Sequence, residues 1–177
     1  MQQILIPSKR AKLLKEDKQL FKRLEDLLHC RLSVQENAVI ADGEPLNEYS
    51  AKDAITAFGR GFSMGQVQKL LSGDYFFSSI NLRDALGKEN RIRRIKARII
   101  GSNGKTKEYI SEVSGASISI FGNTVSFIGT IDEIKMAEAA VRILIEGGTH
   151  KKAYRVIEGM RRRMKEGELL GARYVSG

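Results

Sequence analysis

The sequence predicts an α+β protein that contains two copies of one small unit and ends in a further helix. The first observation is an internal repeat, since residues 14–61 align with residues 100–147 without a gap. The second is that helix-like and strand-like hydrophobic periods fall at the same aligned positions in both copies. Identical pairs include Ser33 with Ser119, Asn37 with Asn123, Gly43 with Gly129 and Gly61 with Gly147. We therefore expect two units of the same fold, at residues 1–72 and 73–177.

The second copy is predicted to open with a strand and two helices. Residues 75–82, YFFSSINL, are rich in aromatic and β-branched side chains, which are typical of a strand. Ile92, Ile95 and Ile99 recur at three- and four-residue steps, which predicts a helix over residues 91–100. Residues 101–104 then form a turn, and a second helix follows over residues 105–113.

A hairpin and a third helix complete the copy. Isoleucine alternates with serine over residues 117–120, and Gly122 and Asn123 mark a tight turn into a partner strand. Apolar residues on one face predict a helix over residues 131–146, which two glycines end. The predicted order is strand, helix, helix, strand, strand, helix. A last helix over residues 150–165 has a narrow apolar stripe, which we expect to pack on the protein.

The formal charge of +9 is concentrated in the second half of the chain. Residues 74–177 carry 19 of the 30 Lys and Arg residues but only 12 of the 21 Asp and Glu residues. Between residues 90 and 107 there are seven basic residues and no acidic one. Such a run is either a solvated helix face or a surface that follows a phosphate backbone. Its position beside a glycine loop favours the phosphate-binding surface.

The glycine loop lies in the segment IIGSNGKT, residues 99–106, which ends like a nucleotide-binding P-loop. A P-loop has four residues between its glycines and follows a buried strand. Here Gly101 and Gly104 enclose two residues, and a predicted helix with a basic outer face precedes them. Ile99 stands where the first P-loop glycine is needed. We therefore favour a loop that binds a nucleic-acid backbone, and a P-loop-like nucleotide site is the alternative.

The element order, with this loop between the first two helices, resembles a type I KH domain, which holds about four nucleotides of single-stranded nucleic acid. The resemblance implies that the loop and the positive end of the next helix bind phosphates. It also implies that bases lie on an apolar groove, which would include Ile110, although the same isoleucines can be core residues. The predicted RNA-binding residues are Arg94, Arg98, Ile99, Ile100, Gly101, Ser102, Asn103, Gly104, Lys105, Lys107, Ile118 and Ile120.

Nearly the whole chain resembles one family of ribosome assembly factors. A degenerate first unit, an intact second glycine loop, the segment GRGF and the stretch GGTHKKAYRVIEGMRRRMKE look like archaeal members of the Dim/partner-of-Nob (Pno/Krr-like) family. The resemblance implies a non-enzymatic protein that binds single-stranded RNA in the 3′ end region of small-subunit rRNA. It implies no cofactor, and it implies a Nob-like endonuclease and the α subunit of archaeal initiation factor two as partners. A protein–protein adaptor that uses the fold as a scaffold is the alternative.

The first unit departs from the family pattern at the loop. The segment Lys15-Glu16-Asp17-Lys18 aligns with the glycine loop, so two acidic side chains would face any phosphate placed there. We predict that this unit does not grip RNA as KH domains do, and that it contacts RNA peripherally or docks a protein. In the last helix, Arg161, Arg162 and Arg163 are predicted to extend the RNA surface.

The rest of the composition limits other functions. The single cysteine, Cys30, can form no internal disulfide and is expected to be a packing residue, and two histidines offer no metal-ligand cluster. No apolar run approaches the length that spans a bilayer. We expect a soluble, cytoplasmic protein with no membrane partner, no metal and no catalytic constellation.

Overall fold

The first unit is a three-stranded antiparallel sheet with its helices. The computed structural model describes the backbone of residues 1–175 and the side chains of residues 1–167. The elements of the first unit are β1 (Gln2–Leu5), α1 (Ser8–Glu16), α2 (Lys18–Leu28), β2 (Arg31–Gln35), β3 (Ala38–Asp42) and α3 (Pro45–Gly59). The strands lie in the order β1-β3-β2. A short helix, α4 (Met64–Lys69), and a 3₁₀ turn (Leu70–Ser72) lead out of this unit.

The second unit repeats the arrangement. Its elements are β4 (Phe76–Asn81), α5 (Leu82–Leu86), α6 (Glu89–Ile100), α7 (Lys105–Ser114), β5 (Ser117–Phe121), β6 (Thr124–Gly129) and α8 (Ile131–Ile145), followed by α9 (His150–Val175). The strands lie in the order β4-β6-β5, which matches the order in the first unit. The predicted pair of tandem KH-like units with a C-terminal helix is therefore confirmed.

The repeat holds from the second helix of each unit onward. Strands β2 and β5 both have 5 residues, and helices α3 and α8 both have 15. Before that point the first unit is shorter, because α1 has 9 residues where α6 has 12. A single residue, Asp17, joins α1 to α2, and its carboxylate accepts from the N–H of Leu20 at 2.9 Å. Asp17 is thus a helix N-cap, and a glycine loop has no place between these helices.

Three elements differ from the sequence prediction. Helix α5 was not predicted because its five residues are too few to show a helical period. Helix α4 has a capping box between Ser63 and Gln66, and its six residues are likewise too few to show one. Helix α9 reaches Val175 rather than residue 165, since the helix continues beyond the apolar stripe on which the prediction rested.

The cores of the two units meet at the β6 side of the second sheet. Ile128 of β6 is buried in the first core, and the rings of Phe62 and Phe77 meet edge to face at 6.4 Å between centroids. The hydroxyl of Ser119 donates to the carbonyl of Arg60 at 2.7 Å. The segment that leaves α3 is therefore fixed against strand β5. Phe77 belongs to the second sheet but packs on the first core, so the contacts do not divide the chain sharply at one residue. The predicted boundary between residues 72 and 73 stays a prediction.

Candidate nucleic-acid interface

The glycine loop turns through left-handed backbone conformations between α6 and α7. Gly101 has φ 74°, Asn103 has φ 52° and Gly104 has φ 81°. Glycine adopts such angles without the clash that a Cβ causes, and asparagine is one of the few other residues that tolerates them. The residue types of the loop therefore match its backbone. Because α6 rather than a buried strand precedes the loop, the P-loop alternative lacks the element that it requires.

The two glycines are required for different reasons. A Cβ on Gly101 would lie 2.2 Å from the Oγ1 of Thr106 and 2.7 Å from its backbone nitrogen. Thr106 is buried, and its hydroxyl accepts from the hydroxyl of Tyr154 at 3.2 Å. A Cβ on Gly104 would meet no atom within 4 Å. Gly101 therefore lets the loop pack on the protein, whereas the space beside Gly104 is open to a ligand.

The N-terminus of α7 has no side-chain cap. Its N-cap residue is Gly104, which has no side chain that could accept from the first N–H groups. A helix N-terminus carries partial positive charge, and its uncapped N–H groups can donate to an anion. Lys105 is exposed and Lys107 is half-buried in the same turn. The open glycine, the helix end and two ammonium groups thus lie within one short segment.

Two depressions border this loop. The first, called here the α7/β5 groove, has a volume of about 600 Å³, and its lining includes Gly104, Lys107, Glu108, Glu112, Ile118 and Gln66. The second, called here the basic cleft, has a volume of about 570 Å³, and its lining includes Arg94, Arg98, Ser102, Lys105 and His150. The predicted loop and lysines therefore meet an apolar residue on one side and arginines on the other.

The isoleucines predicted to line the base groove divide between core and surface. Ile99 and Ile110 are each 0% exposed, so both belong to the core of the second unit. This corrects the prediction for Ile99, which supports the groove from within instead of lining it. Ile118 is 7% exposed and lines the α7/β5 groove, whereas Ile100 is 37% exposed at the end of α6. Ile120 is half-buried on β5.

Arg98 holds the end of α8. Its guanidinium donates to the carbonyl of Leu144 at 3.1 Å and to the carbonyl of Gly148. A ring nitrogen of His150 lies 2.9 Å from the carbonyl oxygen of Arg98. Arg98 thus satisfies carbonyls at a helix C-terminus, where cations are favourable. Arg94, one turn earlier, is exposed in the basic cleft, and RNA contact by either arginine stays a prediction.

Helix α9 is fixed beside the loop at its start. The rings of Tyr109 and Tyr154 lie 4.3 Å apart between centroids, and the hydroxyl of Tyr109 donates to the carboxylate of Glu158. This hydrogen bond, with burial as a smaller cause, raises the pKa of Tyr109 to about 12. Arg162 and Arg163 are exposed, and Arg161 is half-buried. Counted at 1.5 Å per residue, these arginines lie about 16–20 Å along the helix from His150, and none of them lines either depression.

Five residues that line the α7/β5 groove were not predicted from the sequence: Gln66, Glu108, Ser111, Glu112 and Ser117. Glu108 and Glu112 place carboxylates in the groove that Ile118 lines, just beyond the basic run of residues 90–107. Gln66 comes from α4, and no sequence pattern connects it to the glycine loop. Glu108 and Glu112 are four residues apart, so they lie on one face of α7. This spacing is the sequence pattern from which both could have been predicted. The presence of Gln66 in the groove depends on how the two units pack, which the sequence does not show.

Two absences concern only the described part of the chain. In it, no group of three or more His, Cys, Asp and Glu side chains is arranged to hold a metal ion. In the same residues, no helix is both long enough and apolar enough to cross a membrane.

Comparison with protein families and curated proteins gives consistent matches. A family model for the second KH domain of PNO1, described as a eukaryotic-type KH domain (KH domain type I), matches residues 76–162. The chain is 38% identical over 122 residues to a KH domain-containing protein of Methanocaldococcus jannaschii, and the aligned region covers 69% of this chain and 54% of that protein. It is 30% identical over 176 residues to the pre-rRNA-processing protein PNO1 of Chaetomium thermophilum, which covers 92% of this chain and 67% of that protein. The chain thus spans between half and two thirds of the length of these relatives.

Solved structures match over most of the chain. Dim2p from Pyrococcus horikoshii has a TM-score of 0.80 and 33% identity, covering 89% of this chain and 97% of that one. A chain of the a/eIF2α–aDim2p–rRNA complex from the same organism has a TM-score of 0.82 and 32% identity, covering 92% and 94%. A protein of unknown function from Aeropyrum pernix has a TM-score of 0.88 at 24% identity, covering 97% and 95%, which shows the shared fold.

Proposed function

The chain belongs to the PNO1/Dim2 family of KH-domain proteins, and on that premise we propose that it is a non-catalytic, single-stranded RNA-binding factor of rRNA processing. The observation that carries the proposal is the loop at the start of α7. Gly104 leaves open space there, no side chain caps the helix, and Lys105 and Lys107 flank the N–H groups. This arrangement binds a phosphate without reference to sequence.

The RNA backbone follows the loop, and the bases enter the α7/β5 groove. Phosphates are attracted to Lys105 and Lys107 and to the helix end. Glu108 and Glu112 repel phosphates from the groove interior but can accept from base amino groups. Ile118 offers an apolar surface to a base. The positions of these charges therefore orient the RNA so that its bases, and not its phosphates, face the groove.

We further propose the RNA target and the partners. The similar chain from Pyrococcus horikoshii was solved with rRNA and a/eIF2α, and the Chaetomium thermophilum relative is a pre-rRNA-processing protein. These names support rRNA and the α subunit of initiation factor two as partners of this chain. The 3′ end region of small-subunit rRNA and a Nob-like endonuclease follow from the family resemblance. Arg161, Arg162 and Arg163 lengthen the RNA contact beyond the loop.

The test is RNA binding by a loop variant. Fluorescence anisotropy measures the affinity for a short single-stranded RNA from the 3′ end of small-subunit rRNA over a range of salt concentrations. The variant Ser102→Asp with Asn103→Asp keeps both glycines and sets two negative charges against the phosphates. We expect a loss of about 1–3 kcal/mol in binding free energy and a shallower salt dependence.

A matched control carries the same charge change elsewhere. Ser72→Asp with Asn90→Asp replaces the same residue types at exposed positions outside the loop. Because both double variants lower the net charge by the same amount, a difference between them reports the place of the charges. Equal affinity of the loop variant and the wild type, with intact circular dichroism, would move the RNA site away from the loop.

A further inference from the structure

Gln66 of α4 reaches the α7/β5 groove from the other unit. It lines the groove together with Gly104 and Lys107 at the loop and with Ile118 of β5. Helix α4 precedes the second sheet in the chain and packs on the first core through Val67, which is 0% exposed. One wall residue of the groove is therefore supplied by a segment outside the KH unit that carries the glycine loop.

The orientation of the Gln66 amide is determined by Ser63. The backbone N–H of Ser63 donates to Oε1 of Gln66 at 3.0 Å, and the hydroxyl of Ser63 donates to the same oxygen at 3.0 Å. A backbone N–H can only donate, so the atom that faces it must be the amide oxygen. The amide nitrogen, which carries two hydrogens, therefore makes no bond to Ser63. Within the described residues it donates to no protein acceptor.

The position of α4 beside the groove is held by packing. Ser119 of β5 donates to the carbonyl of Arg60 at 2.7 Å, and a Cβ on Gly61 would lie 3.2 Å from the Ser119 hydroxyl. Phe62 is 1% exposed and meets Phe77 edge to face. The segment that leads into α4 is thus in close contact with the strand that forms the groove wall. Gln66 stands on a rigid element, as precise recognition requires.

We propose that Gln66 is a specificity-determining residue, whose amide N–H groups donate to an acceptor on an RNA base in the α7/β5 groove. The proposal rests on the proposed function and adds a base contact made from outside the KH unit. The ligand at this position is a base rather than a phosphate, because the carboxylates of Glu108 and Glu112 line the same groove and repel an anion. Across the groove, Gln66 therefore donates while the two glutamates accept.

The test uses Gln66→Glu, which keeps an oxygen for Ser63 but replaces the donor with an acceptor. A glutamate at this position also forms a capping box, so α4 is expected to stay folded. Gln68→Glu is the matched control, since it makes the same charge change at an exposed residue of the same helix that does not line the groove. Anisotropy is measured for a panel of short RNAs that differ by one base, with thermal unfolding as the check on folding.

We expect Gln66→Glu to weaken the preferred RNA about tenfold relative to Gln68→Glu and to change the ranking of the panel, because one hydrogen bond to a base is lost. A loss that is equal for all RNAs, or equal in the two variants, would overturn the proposal and leave RNA binding at the loop intact. If the wild type binds none of the RNAs, the proposed function fails first and this inference fails with it.

Discussion

The Cβ position of Gly101 lies 2.2 Å from the Oγ1 of Thr106, so the first glycine of the loop is a packing residue of the protein. Thr106 is 6% exposed and bonded to Tyr154, which ties the loop to α9. The second glycine has no such neighbour, and its φ of 81° is the only constraint on a side chain there. The spacing of the loop thus combines one residue that fixes its shape with one that leaves room for the ligand.

The two glycines should respond differently to alanine. Gly104→Ala places an alanine in the left-handed region and should lower the free energy of unfolding by about 1–2 kcal/mol. Gly101→Ala adds a clash with a backbone nitrogen to that strain and should cost more than Gly104→Ala. Denaturant unfolding of both variants measures the difference. Equal losses would show that the loop can move away from Thr106 freely.

Substitution of Arg98 should lower mainly the stability of the protein, whereas substitution of Arg94 should lower mainly its affinity for RNA. Arg98→Lys keeps the charge but cannot span the carbonyls of Leu144 and Gly148, so it should lower the free energy of unfolding by about 1–3 kcal/mol. Arg94→Ala removes an exposed cation and should leave stability within about 0.5 kcal/mol. Its effect should appear in RNA binding. The slope of log binding constant against log salt concentration should become shallower by about 0.7, the value for one lost phosphate contact on a single strand.

The comparison is made on the same preparations by denaturant unfolding and by anisotropy over a salt series. A stability loss in Arg94→Ala as large as that in Arg98→Lys would mean that both arginines are structural. An Arg98→Lys variant of unchanged stability would mean that the carbonyl contacts contribute little.

The fold could be predicted from the sequence because the signals are local or repeated. Alternating Ile and Ser over β5 and the three-and-four spacing of Ile92, Ile95 and Ile99 are properties of short segments, and the repeat carried them to the first unit. The position of each isoleucine within the site was not predictable in this way. Ile99 and Ile118 have the same residue type, and only packing decides that the first is 0% exposed and the second lines a groove.

The same limit applies to charged residues. The basic run predicted a phosphate-binding face, but it could not reveal that Arg98 is bonded to carbonyls some 46 and 50 residues away in sequence. Gln66 reaches the groove through contacts between units, for which a single sequence gives no pattern. Loop chemistry and element order were therefore predictable, whereas the partners of each side chain needed the three-dimensional arrangement.

Tyr109 should give the protein a distinctive loss of stability at high pH. The hydrogen bond to Glu158 raises the pKa of this phenol to about 12, above its usual value of about 10. The contribution of this bond is therefore complete below pH 10 and is lost as the pH rises through about 12, since the unfolded chain ionises first. Urea unfolding over this range should show a steeper fall for the wild type than for Tyr109→Phe. Identical slopes would exclude the hydrogen bond as the cause.

The two units should differ in their dependence on lysine. Lys105→Ala with Lys107→Ala removes both cations beside the start of α7, which has no side-chain cap. The binding free energy for RNA should weaken by about 1–3 kcal/mol, and the slope of log binding constant against log salt concentration should become shallower by about 1.4. Lys15→Ala with Lys18→Ala removes two cations from the aligned segment of the first unit. There Asp17 occupies the N-cap of α2 and its carboxylate already accepts from the N–H of Leu20, so a phosphate finds no free helix end. The change in affinity should be several-fold smaller, although the loss of charge is the same. Equal losses in the two double variants would mean that both units grip RNA alike and that the cap at Asp17 opens when RNA binds.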